Sequence, residues 1–341
     1  MIALDATYSL DESPSGVGLY SREILHGLAG AHADVRFRFC YRPHRYLRSL
    51  AVDLPPNARR GLLAEPVGPR FANLFHGLNQ RLPRIRLRRP VATFHDLFVM
   101  SGDYSTPEFR ARFTAQARDA AARADAIITV SAFTASQVVS LLGVPAERVR
   151  VVHHGTRGLR FPDAAREKIV LTVGAVQKRK NIARLVEAFE AVDPEWKLVV
   201  AGGEGFGSAE IRERIARSPA RGRIEITGYI PADELAAWYA RASVFAFPSL
   251  DEGFGMPLLE AMAAGTPVVT SNRSALPEVA GDAALQVDPA DTAALATALT
   301  QLTQDQGLRD RLAERGRLRA QEFTWEKAVR STWDVYRELL G

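Results

Sequence analysis

The sequence holds one cysteine, Cys40, in 341 residues. A lone thiol closes no intrachain disulfide, which excludes a cystine-stapled secreted scaffold and fits a reducing compartment. No apolar run approaches the roughly 20 residues that span a bilayer. The start, Ile2-Ala3-Leu4-Asp5, reads as a strand rather than a leader. Together these absences predict a cytoplasmic protein. No Asp-x-Asp triplet occurs, so the sequence does not support a diphosphate clamped by a metal on paired carboxylates. Short-period repeats and low-complexity tracts are absent too.

Lysine is missing from one long stretch. From Arg36 to Arg89 there are 13 arginines and no lysines against two acids, Asp53 and Glu65, a local balance of +11. The whole chain has a formal net charge of +5, so the remainder is −6. Tyr41, Tyr46, Leu47, Leu50, Leu62, Leu63, Phe71 and Phe75 lie among the arginines. A basic stretch of this kind suits nucleic acid, anionic lipid or a phosphorylated substrate, or is simply solvated surface. Otherwise the composition, 47% hydrophobic and 24% charged, is that of a soluble globular protein long enough for two domains.

What is present is organised around residues 248–269, PSLDEGFGMPLLEAMAAGTPVV. Residues 242–247 are apolar and read as a buried strand. Residues 251–255 carry two glycines around Phe254 and read as a loop. Residues 256–264 are rich in Leu, Met and Ala and read as a helix, with Pro257 in its first turn. Gly265 ends it, and a strand is expected over 266–269. A glycine loop feeding a helix N-terminus presents unpaired amides and partial positive charge to a phosphorylated ligand. Glu252 stands in the loop and Glu260 on the helix.

Alternating strands and helices run through the rest. Residues 2–7 form a first strand, 13–18 a loop with Gly16 and Gly18, and 19–29 an amphipathic helix. Gly16 and Gly18 lack the third glycine and later acid of a dinucleotide fingerprint. Residues 91–94 form a strand that feeds His95, where open α/β sheets place ligands. His76 has less behind it. His153 and His154 are adjacent, so on a strand they point to opposite faces and do not jointly chelate a metal. Residues 157–167 read as a linker. A second unit starts with a strand at 169–173, then Gly174, the cations Lys178, Arg179 and Lys180, and a helix over 181–189, an anion site in principle. The pattern predicts two Rossmann-like, doubly wound α/β domains facing a cleft.

The central string resembles the E-x7-E signature of the retaining group-1 glycosyltransferases, which have the GT-B fold. The resemblance covers nearly the whole chain; it is strongest over residues 174–282 and weakest over 42–89. It implies that Glu260 holds the nucleotide ribose, that Glu252 faces the transferred sugar, and that Gly253, Phe254, Gly255, Met256, Leu258 and Leu259 line sugar and phosphates. It implies that Gly174 and Lys180 match the family's glycine and phosphate lysine, that Gly16 and Gly18 lie near donor phosphates or acceptor, and that His95 points at the donor sugar. Many relatives have arginine directly after the glycine; here it is Ala175, and Arg179 is the candidate replacement. The expected domains are an acceptor-side unit over 1–157, a nucleotide-sugar unit over 168–322, and a final helix, 323–341, crossing back to the first.

The expected reaction is retaining transfer of a hexose from a nucleoside diphosphate sugar, with GDP-mannose favoured, to a glycan or a polyprenyl- or lipid-linked acceptor. No cofactor and no metal are expected, the diphosphate charge being met by the protein. The arginine-rich stretch then points to an anionic membrane at the inner face rather than to nucleic acid. A nucleotide-sugar epimerase or hydrolase, or a non-catalytic sugar-nucleotide or glycolipid binding protein, are the alternatives on the same fold.

Overall fold

The computed structural model describes residues 1–11, 15–65, 68, 69 and 71–341. The chain divides into two compact units, Met1–Gly155 with Thr324–Gly341, and Thr156–Phe323. The first unit is therefore built from both ends of the sequence. The division falls between Gly155 and Thr156, so residues 157–167, read as a linker, cluster with the second unit.

Seven strands form the first sheet: β1 (Ile2–Asp5), β2 (Phe37–Tyr41), β3 (Ala58–Leu62), β4 (Leu74–Gly77), β5 (Pro90–Phe94), β6 (Ala126–Thr129) and β7 (Val149–Val151). Their order is β3-β2-β1-β4-β5-β6-β7, and every pair is parallel. β1, β4 and β5 are buried at every position, as expected for a parallel sheet covered on both faces. Alternate residues supply two cores. Ile2 and Leu4 pack with Ile24, Leu28 and Tyr336 on one face, while Ala3 packs with Phe94, Phe113 and Val138 on the other.

The helix after β1 runs over Gly16–Ala31, earlier than residues 19–29. Gly16 and Gly18 thus stand in its first turn, not in a loop. Ser15 explains the shift: its Oγ accepts from the Gly18 amide at 3.3 Å, which caps the helix there. Ser13 and Pro14, in the expected loop, lie outside the described residues. Thr106, Ser131 and Thr324 cap the helices Pro107–Arg123, Ala132–Leu142 and Trp325–Leu340 in the same way.

The arginine-rich stretch contains a helix, Pro43–Ser49, and the edge strand β3. Several of its arginines are committed internally. Arg42 reaches Asp5 at 3.5 Å, Arg45 reaches Asp11 at 2.9 Å, and Arg60 donates to the Ser49 and Val52 carbonyls. Arg84, Arg86, Arg88 and Arg89 are exposed, as are Leu47 (78%) and Phe71 (86%).

The second unit has six parallel strands: β8 (Glu167–Val173), β9 (Lys197–Ala201), β10 (Ile224–Gly228), β11 (Ala242–Phe247), β12 (Val268–Ser271) and β13 (Ala284–Val287). They are ordered β10-β9-β8-β11-β12-β13. The strand expected over 266–269 begins at Val268 because Thr266 belongs to the end of the preceding helix, Met256–Ala263. Gly265, at φ 66°, donates its amide to the Met262 carbonyl at 2.9 Å, and Thr266 donates to Ala261 at 2.9 Å. This paired closure satisfies the last carbonyls of the helix and uses two residues that pattern alone gives to the strand.

Candidate functional site

In the second sheet the strand order reverses between β8 and β11, which are hydrogen-bonded neighbours. The chain leaves the two in opposite directions, so the loops at their carboxyl ends flank a crevice of the kind that open α/β sheets use for ligands. Gly174 to Asn181 follow β8, and Pro248 to Gly255 follow β11. Two ties join the loops. Asn181, at φ 58°, donates Nδ2 to the Pro248 and Pro289 carbonyls at 3.1 and 2.8 Å, and the Leu250 amide donates to the Arg179 carbonyl at 2.8 Å.

These ties bring the predicted residues together. Lys180 Nζ lies 2.6 Å from Glu252 Oε1, and Arg179 Nη1 lies 2.8 Å from Oε2. Arg179 also donates to the Asp251 carbonyl. Lys180 crosses the Phe247 ring at 4.5 Å from its centroid. Gly174, at φ 135°, leaves room for that side chain: a Cβ there would lie 2.9 Å from Lys180 Cε. Arg179 therefore reaches the loop that carries Glu252, although it is five positions beyond Gly174 and not adjacent to it. Burial by itself raises the Glu252 pKa, but the Arg179 and Lys180 charges outweigh it and hold the carboxyl down at about 2. Two cations therefore share one ionised carboxylate.

The helix Met256–Ala263 starts beside this trio. Gly255 occupies its N-cap position at φ 104°, and no described side chain caps it. Its first turn presents main-chain amides and the positive end of the helix dipole. Gly253, Phe254, Gly255, Met256, Leu258 and Leu259 line this start, all buried. Glu260, one turn further, is 2% exposed. Its Oε2 accepts from Tyr239 Oη at 2.9 Å. Arg157 Nε stands 3.2 Å from Oε1, close enough for an ion pair but not aligned as a hydrogen bond. Burial raises the Glu260 pKa against the opposing Arg157 charge and Tyr239 hydroxyl. The arrangement suits an anionic ligand carrying hydroxyl groups: cations and amides for the anion, a buried carboxylate for the hydroxyls.

Gly16, Gly18 and His95 belong to the first unit. His95 follows β5 and is buried; its Nε2 donates to the Leu78 carbonyl at 2.9 Å. Burial lowers its pKa to about 4, so at neutral pH the ring is uncharged and Nδ1 carries the lone pair. Tyr20, on the helix that begins with Gly16 and Gly18, meets the His95 ring edge-on at 4.8 Å, and His154 stacks on His95 at 5.4 Å. His153 is exposed and His154 buried, so the adjacent pair does point to opposite sides. Among the described residues no three His, Cys, Asp or Glu side chains converge as metal ligands.

Tyr239 and Arg157 were not found from sequence. Tyr239 sits on the buried face of the helix Ala232–Arg241 and reads as core. Arg157 lies in irregular chain, with no local pattern to mark it.

Comparison with known proteins gives two family matches: "Glycosyl transferases group 1" over residues 160–319 and "Glycosyltransferase Family 4" over 70–157. An O-antigen chain mannosyltransferase B of Escherichia coli is 33% identical over 284 residues, covering 78% of this chain and 74% of the relative. A D-inositol 3-phosphate glycosyltransferase of Streptomyces bingchenggensis is 32% identical, covering 76% and 62%. An MMP alpha-(1->4)-mannosyltransferase of Mycolicibacterium hassiacum is 33% identical, covering 63% and 54%. Among solved structures, sucrose-phosphate synthase from Thermosynechococcus elongatus aligns over 99% of this chain and 98% of its own, with a TM-score of 0.82 and 24% identity. HepE of Anabaena in complex with UDP-glucose aligns over 99% of both chains at a TM-score of 0.75 and 18% identity.

Proposed function

We propose a donor and a reaction for a chain that belongs to the group 1 glycosyl transferases and has their two-domain GT-B fold. It moves a hexose, mannose first among candidates, from a nucleoside diphosphate sugar to a glycan or lipid-linked acceptor. Configuration at the transferred carbon is retained, and neither metal nor cofactor takes part. The observation that carries this reading is the pairing of Lys180 and Arg179 with Glu252 at the uncapped start of helix Met256–Ala263, beside the buried Glu260.

Each group then has a task. Lys180, Arg179 and the first-turn amides take the diphosphate, and they stabilise the charge that grows on it as the glycosidic bond breaks. Glu260 accepts from the ribose hydroxyls. A diphosphate competes with Glu252 for its two cations, which frees that carboxylate to accept from hydroxyls of the sugar. With Arg179 and Lys180 on it, Glu252 is ionised at neutral pH. The proton of the acceptor hydroxyl passes to the departing phosphate on the same face of the sugar. Mannose is favoured because the Escherichia coli and Mycolicibacterium relatives are named mannosyltransferases, and guanine is carried over from the GDP-mannose expectation. The exposed Leu47, Leu50 and Phe71 among exposed arginines support peripheral contact with an anionic membrane that presents a lipid-linked acceptor.

The test is incubation with GDP-mannose, UDP-glucose and UDP-N-acetylglucosamine in turn, alone and with a lipid-linked glycan extract, with and without EDTA. GDP-mannose consumed only with acceptor, in EDTA, giving an α-mannoside by NMR, is the expected result. Consumption without acceptor indicates a hydrolase or epimerase, binding without consumption a binding protein, and use of UDP-sugars alone overturns the donor.

A further inference from the structure

The first unit contains a cavity of about 450 Å³ that the donor chemistry leaves unused. It lies at the carboxyl ends of β1 and β4, the neighbours between which the first sheet reverses its strand order. Tyr8, from the turn after β1, and Asn79 and Arg81, from the turn after β4, form one side. The other side is one stripe of the helix Pro107–Arg123, where Phe109, Arg112, Phe113 and Gln116 recur at the spacing of a single helical face.

Among the described residues the lining contains two guanidinium groups and no carboxylate. Arg81 is fixed by neutral partners. The Gln116 amide, turned with its oxygen toward the guanidinium, accepts from Nε at 2.8 Å and from Nη2 at 2.9 Å, and Tyr8 Oη accepts from Nη1 at 3.4 Å. Arg112 lies over the Phe109 ring at 5.3 Å. An arginine oriented by neutral oxygens keeps its charge for a ligand, and its planar fork matches phosphate. Asn79 is 5% exposed, and among the described residues no donor reaches its Oδ1. A buried acceptor in such a place is matched by a ligand hydroxyl. The Phe109 and Phe113 rings, 6.3 Å apart and 31° from parallel, give the C–H face of a sugar or polyol an apolar wall.

We propose that this cavity holds the acceptor through a phosphate group placed beside free hydroxyls, with Arg81 and Arg112 on the phosphate and Asn79 on a hydroxyl. The acceptor is thereby a phosphorylated sugar or polyol. The assignment as an acceptor rests on the glycosyltransferase reading above, whereas the test reads binding and not turnover.

The full chain is titrated calorimetrically with mannose 6-phosphate, inositol 1-phosphate, mannose and inorganic phosphate. At least one phosphorylated probe is expected to bind tenfold or more tighter than both mannose and inorganic phosphate. R81Q and R112Q should each weaken it at least tenfold, and N79A should weaken phosphorylated and plain sugar alike. K180Q should leave it unchanged, which separates this cavity from the cations of the second unit. Thermal unfolding of each variant confirms folding, and R112Q, an exposed position, keeps the test open if R81Q does not fold. Vesicles containing phosphatidylinositol, bound through the same two arginines, place the phosphate on a lipid; binding of the free probes alone places it on a small molecule. Mannose or inorganic phosphate binding as tightly as the phosphorylated probes, or unaltered affinity in both arginine variants, overturns the proposal. A parallel titration with GDP and GDP-mannose tests the donor reading: no binding there, with the phosphorylated probe still bound, counts against the donor and leaves the cavity assignment standing.

Discussion

The two glutamates of the helix-start motif do different work because their partners differ. Glu260 has one oxygen on Tyr239, and the other accepts no hydrogen bond from the described residues. Glu260→Gln keeps the shape and removes the charge on the ribose acceptor. GDP affinity should fall by about 1.5–3 kcal/mol, roughly tenfold to hundredfold; an unchanged dissociation constant in calorimetry rules out the ribose role. Glu252→Gln frees Lys180 and Arg179 from their carboxylate. Nucleotide affinity should hold or rise while kcat falls, since the lost contact is to the sugar. A loss confined to KM would contradict that division. Both glutamates were legible because they belong to one continuous string, with glycines and helix formers at fixed spacing. Tyr239 and Arg157 were not, since their contacts with Glu260 arise only when distant segments meet. Arg179 lay between: its charge was plain, its reach to Glu252 required the αL turn at Asn181.

Among the elements, the loops after the strands carry the sharpest constraints. Gly202, after β9, sits against the loop after β8: a Cβ there would lie 2.0 Å from the Gly174 carbonyl oxygen. Gly203 has nothing within 4 Å of such a Cβ. Gly202→Ala should therefore lower stability by about 1–3 kcal/mol and weaken donor binding, with Gly203→Ala as the neutral control. Equal urea midpoints for the two would mean that the loops are not in the contact described. Strands β4, β5 and β7 bring a second constraint, from buried histidines. His76 in β4 is bracketed by Tyr336 Oη at 2.6 Å and Thr93 Oγ1 at 2.8 Å. Burial lowers His76 to about 3 and His95 to about 4, and holds His154 well below its ordinary value. Unfolded histidines titrate near 6.5, so below that pH the unfolded chain takes up protons that the native one refuses. The stability is full above about pH 6.5 and is lost as pH falls toward 4, by about 2 kcal/mol for each such histidine at pH 5. Urea denaturation at pH 7, 6 and 5 should show a falling midpoint; a flat one would show these rings protonated in the native state. Strand and helix order was readable from apolar runs and turn residues, while element ends moved where caps decided them, at Ser15 and Gly265. The arginine-rich stretch hid its helix and edge strand because its side chains show no clear period.

At the scale of the molecule, charge is concentrated in one part of one unit. If the exposed Arg84, Arg86, Arg88 and Arg89 meet lipid headgroups, sedimentation with anionic vesicles should exceed that with neutral ones, fall as salt rises, and drop when the four become Gln. Arg81 is left out, since it lies in the cavity and is held by Gln116. Each basic side chain near such a surface is worth about 1 kcal/mol, so four account for a readily reversible attachment. Equal sedimentation with both vesicle types would assign the stretch to solvent.

The first unit takes its last helix, Trp325–Leu340, from beyond the whole of the second. Tyr336 from that helix is fully buried, and its hydroxyl meets His76 in the central strand β4. On a ribosome the sequence appears from one end only, at about 5–20 residues per second. The sheet Met1 begins is thus complete in sequence long before the helix that closes its core is made, and the second unit is synthesised, and free to fold, in the interval. Of the two units, the one whose synthesis begins first is the second to be completed.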